Sequence, residues 1–270
     1  MTLIIKSNKK AVGTFQKLRF DKILTNGSLM LFDSSKIVSL PVNGSTLNNV
    51  AFNEAIETIG SGTEATMKMP VTLTQVATKS AVEFSSKKGL YFNISATAEA
   101  GNEMQIVVPD AIRQYILNNP NNSFYASYWS NVTRVGTTST AARFAVRNTS
   151  APTTNLLFEL GKVSPITRPI DGSANQIGNL SENGANTTGI GFRNVGVLKF
   201  NGTLPATIAN LTGRFLAIAE SIIIYRIYIE DLTVSGRTYA QVSALDKSLK
   251  DAAFAEGGKF YNDTYSPNIA

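Results

Sequence analysis

The 270-residue chain contains no cysteine and no histidine, and each absence excludes chemistry. Without cysteine there is no disulfide framework, no thiolate zinc site and no cysteine nucleophile. Without histidine the chain lacks the usual general base at neutral pH, the Ser-His nucleophile systems and the commonest transition-metal ligand. Most enzyme classes are therefore disfavoured, and we expect a protein that is not an enzyme and uses no cofactor.

Long uncharged apolar runs are also absent. The opening MTLIIKSNKK has no stretch long enough for the core of a signal peptide. The most apolar segment, FLAIAESIIIYRIYI, is interrupted by Glu220 and Arg226 before it could cross a bilayer. We therefore expect a soluble protein with no membrane insertion and no export signal.

Closely paired acidic residues are scarce. Glycoside hydrolysis needs two carboxylates at a fixed separation, but Glu230 and Asp231 are adjacent in a predicted strand and point to opposite faces. Calcium needs several carboxylates together, whereas Asp171 and Glu182 are isolated in loops rich in amides. We expect no catalytic, cofactor-binding or metal-binding residues.

What the chain does contain, from Ser28 onward, is a series of short apolar segments separated by Gly, Asn, Pro and Ser. This pattern is typical of antiparallel β structure and predicts an all-β sandwich or jelly roll. The segment SLMLFDSSKIVSLPV predicts two strands, and short helices are predicted at 50–59 and 110–117, the second with Asp110 as its N-cap. Residues 148–191, poor in charge and rich in Gly, Pro, Asn and Thr, predict a long surface loop that is either functional or a tolerated insertion.

The strand candidate SFYASYWSNVTR has two different faces. Alternation assigns an apolar face to the core between two sheets, formed by Phe124, Ala126, Tyr128 and Val132. The other face carries Tyr125, Trp129 and Asn131, and an aromatic ring beside an amide can stack on and hydrogen-bond to a sugar. These three residues are candidate glycan contacts, and the alternative is that Trp129 belongs to the core.

The net charge of +6 is concentrated at the N-terminus. Residues 1–22 hold six basic residues and one acidic residue, which accounts for five of the six net charges. Basic arms bind either phosphates or acidic protein surfaces. Because apolar residues are interleaved and there is no Arg-rich run, protein contact is favoured over nucleic acid. The candidate assembly contacts in this arm are Lys9, Lys10, Lys17 and Arg19.

The segment SIIIYRIYIED predicts a central strand. Strict alternation assigns one wholly apolar face, formed by Ile223, Tyr225, Ile227 and Ile229. It assigns a mixed face that includes Ile222, Ile224, Arg226, Tyr228 and Glu230. The second face is therefore predicted to be partly covered or contacted by something else.

After this strand the sequence changes to helix signals. Thr238 with Gln241 forms a capping-box pattern. An apolar stripe follows at Val242, Leu245, Leu249 and Ala253. Asp246 and Lys250 are predicted to form an outward-facing pair, and 257–258, two glycines, to end the helix. The tail beyond has no predicted core to join, so Phe260, Tyr261 and Tyr265 are further candidate assembly contacts.

Two stretches carry a resemblance to a known family. SFYASYWSNVTRVG and, more specifically, YRIYIEDLTVSGRTYAQVSALD resemble the concanavalin A-like (laminin G-like) jelly-roll modules of tailed-bacteriophage virion proteins. The likeness extends over the latter half of the chain and, more loosely, from Ser28. The hydrolase and lyase motifs of that superfamily and the metal-binding loop of its legume lectins have no counterpart here.

The resemblance implies a virion structural protein, made in the host cytoplasm, that assembles as a homo-oligomer and with other virion proteins. It also implies an alternative, a lectin-like module that binds a host surface glycan through the Trp129 face or the loop at 169–191. The expected organisation is a basic arm at 1–25, a concanavalin A-like jelly-roll β-sandwich at 26–236, and a short helix with an extended tail at 237–270.

Overall fold

The alternating apolar segments pair into two antiparallel β-sheets in a computed structural model of the chain. The residues that it describes are 19, 21–74, 79–95, 103–119, 121–135, 143–148, 156–160, 180–181, 188–195, 198–199, 208–216 and 221–269. Strands predominate among these residues and helices are few, which confirms the all-β prediction.

The strands follow one another along nearly the whole described chain. They are β1 (Ser28–Asp33), β2 (Thr46–Leu47), β3 (Met69–Thr74), β4 (Ser80–Phe84), β5 (Leu90–Ile94), β6 (Glu103–Val107), β7 (Ser123–Arg134), β8 (Arg143–Asn148), β9 (Leu156–Leu160), β10 (Leu180–Ser181), β11 (Gly189–Val195), β12 (Leu198–Lys199), β13 (Ile208–Leu216) and β14 (Ser221–Asp231). The α-helices are α1 (Phe52–Ile59), α2 (Asp110–Asn118), α3 (Leu232–Ser235) and α4 (Tyr239–Phe254).

The larger sheet is built around β14. Its strand order is β10-β11-β7-β14-β5-β4, and β12 pairs with β7. Along its other edge β14 pairs first with β5 and then with β1, so it is hydrogen-bonded to three strands from distant parts of the chain. The smaller sheet has the order β2-β3-β6-β13-β8-β9.

One apolar cluster contains side chains of both sheets and holds them together. From β7 it takes Phe124, Ala126, Tyr128 and Val132, as the alternation predicts, and from the smaller sheet Val71 and Ile106. All of these side chains are buried. Removing a large apolar side chain from water contributes about 1.5–3 kcal/mol, so burial of this cluster stabilises the packing of the two sheets.

A β-bulge in β14 changes which residues face this cluster. Ile224 pairs with Ser130 of β7, but Arg226 pairs with the adjacent Trp129, so Tyr225 is the extra residue. The inter-sheet cluster therefore contains Ile222 and Ile224 before the bulge, and Ile227 and Ile229 after it. The predicted single alternation holds as far as Tyr225, which shares a cluster with Ile223, and is wrong from Arg226 onward, because the bulge exchanges the two faces.

The short helices agree with their sequence signals. Helix α1 ends at Ile59, and its C-cap Gly60 has a φ of 79°, the left-handed conformation that glycine adopts at helix ends. Helix α2 begins at Asp110, which is its first residue and not its N-cap as predicted. Helix α4 has the predicted capping box between Thr238 and Gln241, but it ends at Phe254, before the two glycines.

The second strand predicted within SLMLFDSSKIVSLPV does not form. The first is β1, and the following residues make a short 3₁₀ turn, Ser34–Lys36, and then a loop that returns to β2. The N-terminal boundary also differs from the prediction, because Ile23 and Leu24 are buried in a second cluster that includes Tyr228 and Val242. Residues 21–25 thus belong to the folded domain and not to the arm.

Candidate functional site

The face of the larger sheet that points away from the smaller sheet is lined by aromatic and polar side chains. We call it the covered face, because residues 237–269, here called the C-terminal segment, lie over it. Its principal side chains are Tyr91, Tyr125, Trp129, Tyr225, Arg226 and Tyr228, all buried. The inter-sheet cluster, by contrast, is mainly aliphatic. The composition of the covered face resembles that of a protein–protein interface core, which is enriched in Tyr, Trp and Arg.

The carboxylate of Asp246 in α4 is at the centre of the covered face and is fully buried. It accepts hydrogen bonds from Trp129 Nε1 at 2.9 Å, from Tyr125 Oη at 3.0 Å and from Ser127 Oγ. Burial raises the pKa of Asp246 despite the opposing charge of Arg226 and these hydrogen bonds. The predicted outward pair of Asp246 with Lys250 is therefore wrong, and Lys250 instead contacts Asp251 at 3.2 Å.

Arg226 is a buried cation of the covered face whose charge acts on this carboxylate. Its two terminal nitrogens donate to Asp21 at 2.8 and 2.9 Å, and its guanidinium carbon lies 4.7 Å from the centroid of the Trp129 ring. Burial alone would raise the pKa of Asp21, but the hydrogen bonds and charge of Arg226 outweigh it and lower that pKa. A residue before the first strand is thus fixed to the central strand by a charged, bidentate contact.

A second charged contact fixes the start of the C-terminal segment. The guanidinium of Arg237 binds the carboxylate of Glu230, with an Nε–Oε1 distance of 2.9 Å, and also donates to the carbonyl of Ile23 at 2.8 Å. Tyr228 donates to the same carboxylate at 2.7 Å and contacts Ser28 at 2.8 Å. The start of the C-terminal segment is therefore bound both to the central strand, at Glu230, and to the residues before β1, at Ile23.

The tail after α4 lies against the same domain. Phe260 is buried, with its ring centroid 4.5 Å from that of Tyr225 and 5.4 Å from that of Phe254. Asp263 accepts from Tyr225 Oη at 2.7 Å and from Ser86 Oγ at 3.0 Å. Burial and the adjacent Asp263 carboxylate raise the pKa of Tyr225.

The predicted assembly residues of the tail therefore divide into two groups. Phe260 is buried within its own chain, which corrects the prediction that it is free to contact a neighbouring subunit. Tyr261 and Tyr265 keep 38% and 42% of their surface exposed, although the Tyr265 ring also packs edge-on against Tyr91 at 5.5 Å. The aromatic residues of this polar segment thus contact their own domain, and contact of Tyr261 and Tyr265 with a neighbouring subunit stays a prediction.

The predicted arm contacts are only partly described. Lys9, Lys10 and Lys17 lie outside the described residues. Arg19 donates to Asn26 at 2.8 Å and lies 3.7 Å from a carboxylate oxygen of Glu54, so it contacts its own domain.

The candidate glycan residues occupy the covered face. Tyr125 and Trp129 are buried and donate to Asp246, and Asn131 is half-buried on the same strand. A sugar ring cannot reach Trp129 while α4 is docked, so the predicted sugar-binding surface is corrected to an internal contact between the sheet and α4. The proposed alternative loop at 169–191 lies outside the described residues except at 180–181 and 188–191.

The outer edge of the smaller sheet has a different character. Beside edge strand β2, the loop after the 3₁₀ turn exposes Val38, Leu40 and Val42 at 91%, 40% and 64% of their surface. A cleft of about 130 Å³ separates this loop from β2 and is lined in part by Ile37 and Thr46. We call these three exposed side chains the apolar edge.

The functional residues that the sequence did not reveal are Asp246, Arg226 and Asp21. Asp246 lies on the line Val242, Asp246, Leu249 and Ala253, whose spacings of four, three and four residues mark one helix face. The spacing thus indicates that Asp246 shares the buried face of the helix. A charged residue is usually expected to face solvent, and for that reason the sequence predicted an outward-facing Asp246.

The described ranges offer no cluster of three or more acidic side chains that could hold a metal ion. None of the helices in the described part of the chain combines the length and apolar character of a membrane span. The charged groups of the covered face bind one another, which suits them to holding the fold together.

Comparison with known proteins gives little similarity. No protein-family model and no curated protein sequence matches this chain. Among solved structures it is similar to Trypanosoma rangeli sialidase in complex with 2,3-difluorosialic acid, a covalent intermediate, at 10% identity and a TM-score of 0.35. The match covers 80% of this chain and 34% of the sialidase chain. A likeness at this level carries no argument about function.

Proposed function

We propose that this protein is a structural component of a tailed-bacteriophage virion, built on a concanavalin A-like jelly roll and acting by multimeric assembly. The resemblance of the run from Tyr225 to Asp246 to phage modules supports the assignment, and two antiparallel sheets around an apolar cluster are compatible with it. The charged side chains of the covered face are engaged with one another, which favours a structural role over catalysis.

The observation that carries the assembly proposal is the apolar edge. Edge strands present unpaired backbone groups, and natural proteins usually protect them with charges or cover them. Here the loop beside edge strand β2 instead presents Val38, Leu40 and Val42 to solvent. Clustered exposed apolar groups mark interaction surfaces. We propose that a second copy or another virion protein covers this edge.

The mass of the full chain in solution, measured by light scattering over a range of concentrations, tests assembly. Val38→Lys and Val42→Lys should reduce the oligomer fraction at least tenfold while leaving the melting temperature within about a degree, because exposed substitutions have little effect on stability. Val234→Lys, an exposed apolar position on α3, is the matched control and should leave the oligomer intact. A monomer at every concentration, or an oligomer that tolerates both edge variants, contradicts the proposal.

A screen of the full chain against a glycan array and a panel of capsular polysaccharides tests the alternatives. We expect neither binding nor turnover. Specific binding without turnover would favour the lectin-like module, and turnover abolished by an acidic-residue substitution would favour an enzyme.

A further inference from the structure

Arg226 lies where three separate parts of the chain meet. Asp21, from the residues before β1, accepts two hydrogen bonds from its guanidinium at 2.8 and 2.9 Å. On the other side the guanidinium packs on Trp129, whose Nε1 donates to Asp246 of α4 at 2.9 Å. A continuous chain of contacts therefore runs from the N-terminal residues through the central strand to the C-terminal helix.

A second link joins the same regions. Asp33 of β1 is directly opposite Arg226 in the strand register, and its carboxylate binds Lys259 of the tail at 2.6 Å. The strand that follows the N-terminal residues is thus connected to the tail beyond α4. The helix α4 is therefore connected to Arg226 through Trp129, and the tail is connected to it through Asp33, the residue opposite Arg226 in β1.

The burial of Arg226 makes these links interdependent. Its side chain is 2% exposed, and among the described residues Asp21 is the carboxylate that accepts its hydrogen bonds. If Asp21 loses its charge, a buried cation keeps terminal donors that have no anionic acceptor, which is strongly unfavourable. Water can relieve that penalty only by reaching the guanidinium, which packs on the Trp129 ring, and the C-terminal segment is bonded to that ring through Asp246.

We infer that Arg226 couples the two ends of the folded domain, so that release of the residues around Asp21 loosens the C-terminal segment. The two regions open together and not independently. Any event that draws Asp21 away from Arg226, such as engagement of the preceding arm by a partner, is then transmitted to α4 and the tail. This coupling does not depend on the proposed role in a virion.

Amide hydrogen exchange of the full-length chain, followed by mass spectrometry, tests the coupling. Asp21→Asn should raise the exchange rate of peptides within 239–254 about tenfold, which corresponds to about 1.4 kcal/mol. Asp251→Asn, which removes an exposed charge from the same helix, is the first control and should leave those rates unchanged. Ile112→Val in α2, which destabilises the inter-sheet cluster, is the second and corrects for any general loss of stability.

The reciprocal change gives an independent reading, because coupling between two sites acts in both directions. Asp246→Asn should raise exchange at the amides of Ile23 and Leu24. If Asp21→Asn accelerates exchange at 21–25 but not at 239–254 beyond the Ile112→Val control, the inference is overturned.

The unmodified chain provides a test that needs no variant. At urea concentrations below the unfolding transition, coupled regions exchange through the same opening and share one urea dependence. A common slope for 21–25 and 239–254 supports the coupling even if a variant fails to fold, and clearly different slopes overturn it.

Discussion

Asp246 shows how a single side chain can define a packing arrangement. Its carboxylate is buried and accepts from three neutral donors of β7, and within the described chain no cation is hydrogen-bonded to it. Since a buried polar group is costly unless its partners are placed correctly, this cluster allows α4 to dock in one register only. The sole tryptophan of the chain belongs to the same cluster, so its fluorescence reports on whether the helix is docked.

Replacing Asp246 should separate the role of its shape from that of its charge. Asp246→Ala leaves three buried donors without an acceptor, and each such group costs about 1–3 kcal/mol, so we expect a loss of at least about 2 kcal/mol. Asp246→Asn keeps one acceptor oxygen and should cost less. Urea unfolding followed by Trp129 fluorescence measures both, with the exposed Asp251→Ala as a control near zero. If both variants lowered the free energy of unfolding by the same small amount, the hydrogen bonds of Asp246 would not be what holds α4 on the sheet.

Half-buried Asp21 and fully buried Asp246 should give opposite dependences of stability on pH. The folded-state pKa of Asp21 lies below its ordinary 3.8, so its stabilising contribution is present above pH 3.8 and is lost as the pH falls through the folded value. The pKa of Asp246 lies above 3.8, so its ionisation penalises the folded state as the pH rises through 3.8 toward the folded value.

The two directions of pH dependence can be measured by comparing the wild type with variants in which each aspartate is replaced by asparagine. The stability advantage of the wild type over Asp21→Asn should shrink on acidification below pH 3.8. The difference between wild type and Asp246→Asn should instead move in favour of the wild type on acidification. Thermal unfolding of all three proteins between pH 3 and pH 8 provides the comparison, and parallel curves would contradict both assignments.

In the C-terminal segment the helix itself was predictable from the sequence, but its packing against the sheet was not. The capping box at Thr238 and the apolar stripe of α4 were both predictable, because they depend on local sequence alone. The docking of α4 on the covered face was not, since it depends on the register of β7 and on Arg226 pointing toward the helix. That orientation follows from the bulge at Tyr225, which no periodicity in the sequence announces.

Removal of the tail should destabilise the domain. Deleting 259–270 exposes the aromatic site of Phe260 and leaves Tyr225 Oη without Asp263. Phe260→Ala alone should cost about 3–5 kcal/mol, as large-to-small substitutions in cores do. Tyr261→Ala, at a neighbouring exposed ring, should change stability by less than about 0.5 kcal/mol. Calorimetry compares the three, and an unchanged melting temperature after the deletion would show that the tail contributes nothing to the domain.

For the molecule as a whole, composition and strand pattern were sufficient to predict the all-β class. The jelly-roll topology and the assembly role remain proposals, because they depend on long-range pairings and on partners. Alternation predicted that the candidate glycan residues share one face, but it left a sugar-binding surface and burial of Trp129 as alternatives, because it shows which residues share a face and not what lies over it. The structure gives burial for Trp129 and Tyr125.

Two N-terminal deletions distinguish the arm from the domain. Deleting 1–18 removes none of the contacts described above, so we expect an unchanged melting temperature and a weaker oligomer. The salt dependence of that oligomer should also be smaller than in the full chain, because exposed charges are screened over about 8–10 Å. Deleting 1–25 also removes Asp21, Ile23 and Leu24 and should lower the melting temperature by roughly ten degrees or prevent folding. Sedimentation and calorimetry measure the two effects, and equal melting temperatures for both deletions would contradict this division.

The central position of β14 also has a consequence for the order of events during synthesis. β1 pairs with β14, yet more than 180 residues separate Asp33 from Ser221. At about 5–20 residues per second, the ribosome takes roughly 10–40 s to make them, and during that time β1 lacks its neighbour. The larger sheet therefore cannot close while the chain is being elongated through its first 220 residues. Until then the nascent chain carries β1 as an unpaired apolar strand. We therefore expect chaperone binding and the tendency to aggregate to be greatest just before β14 emerges from the ribosome.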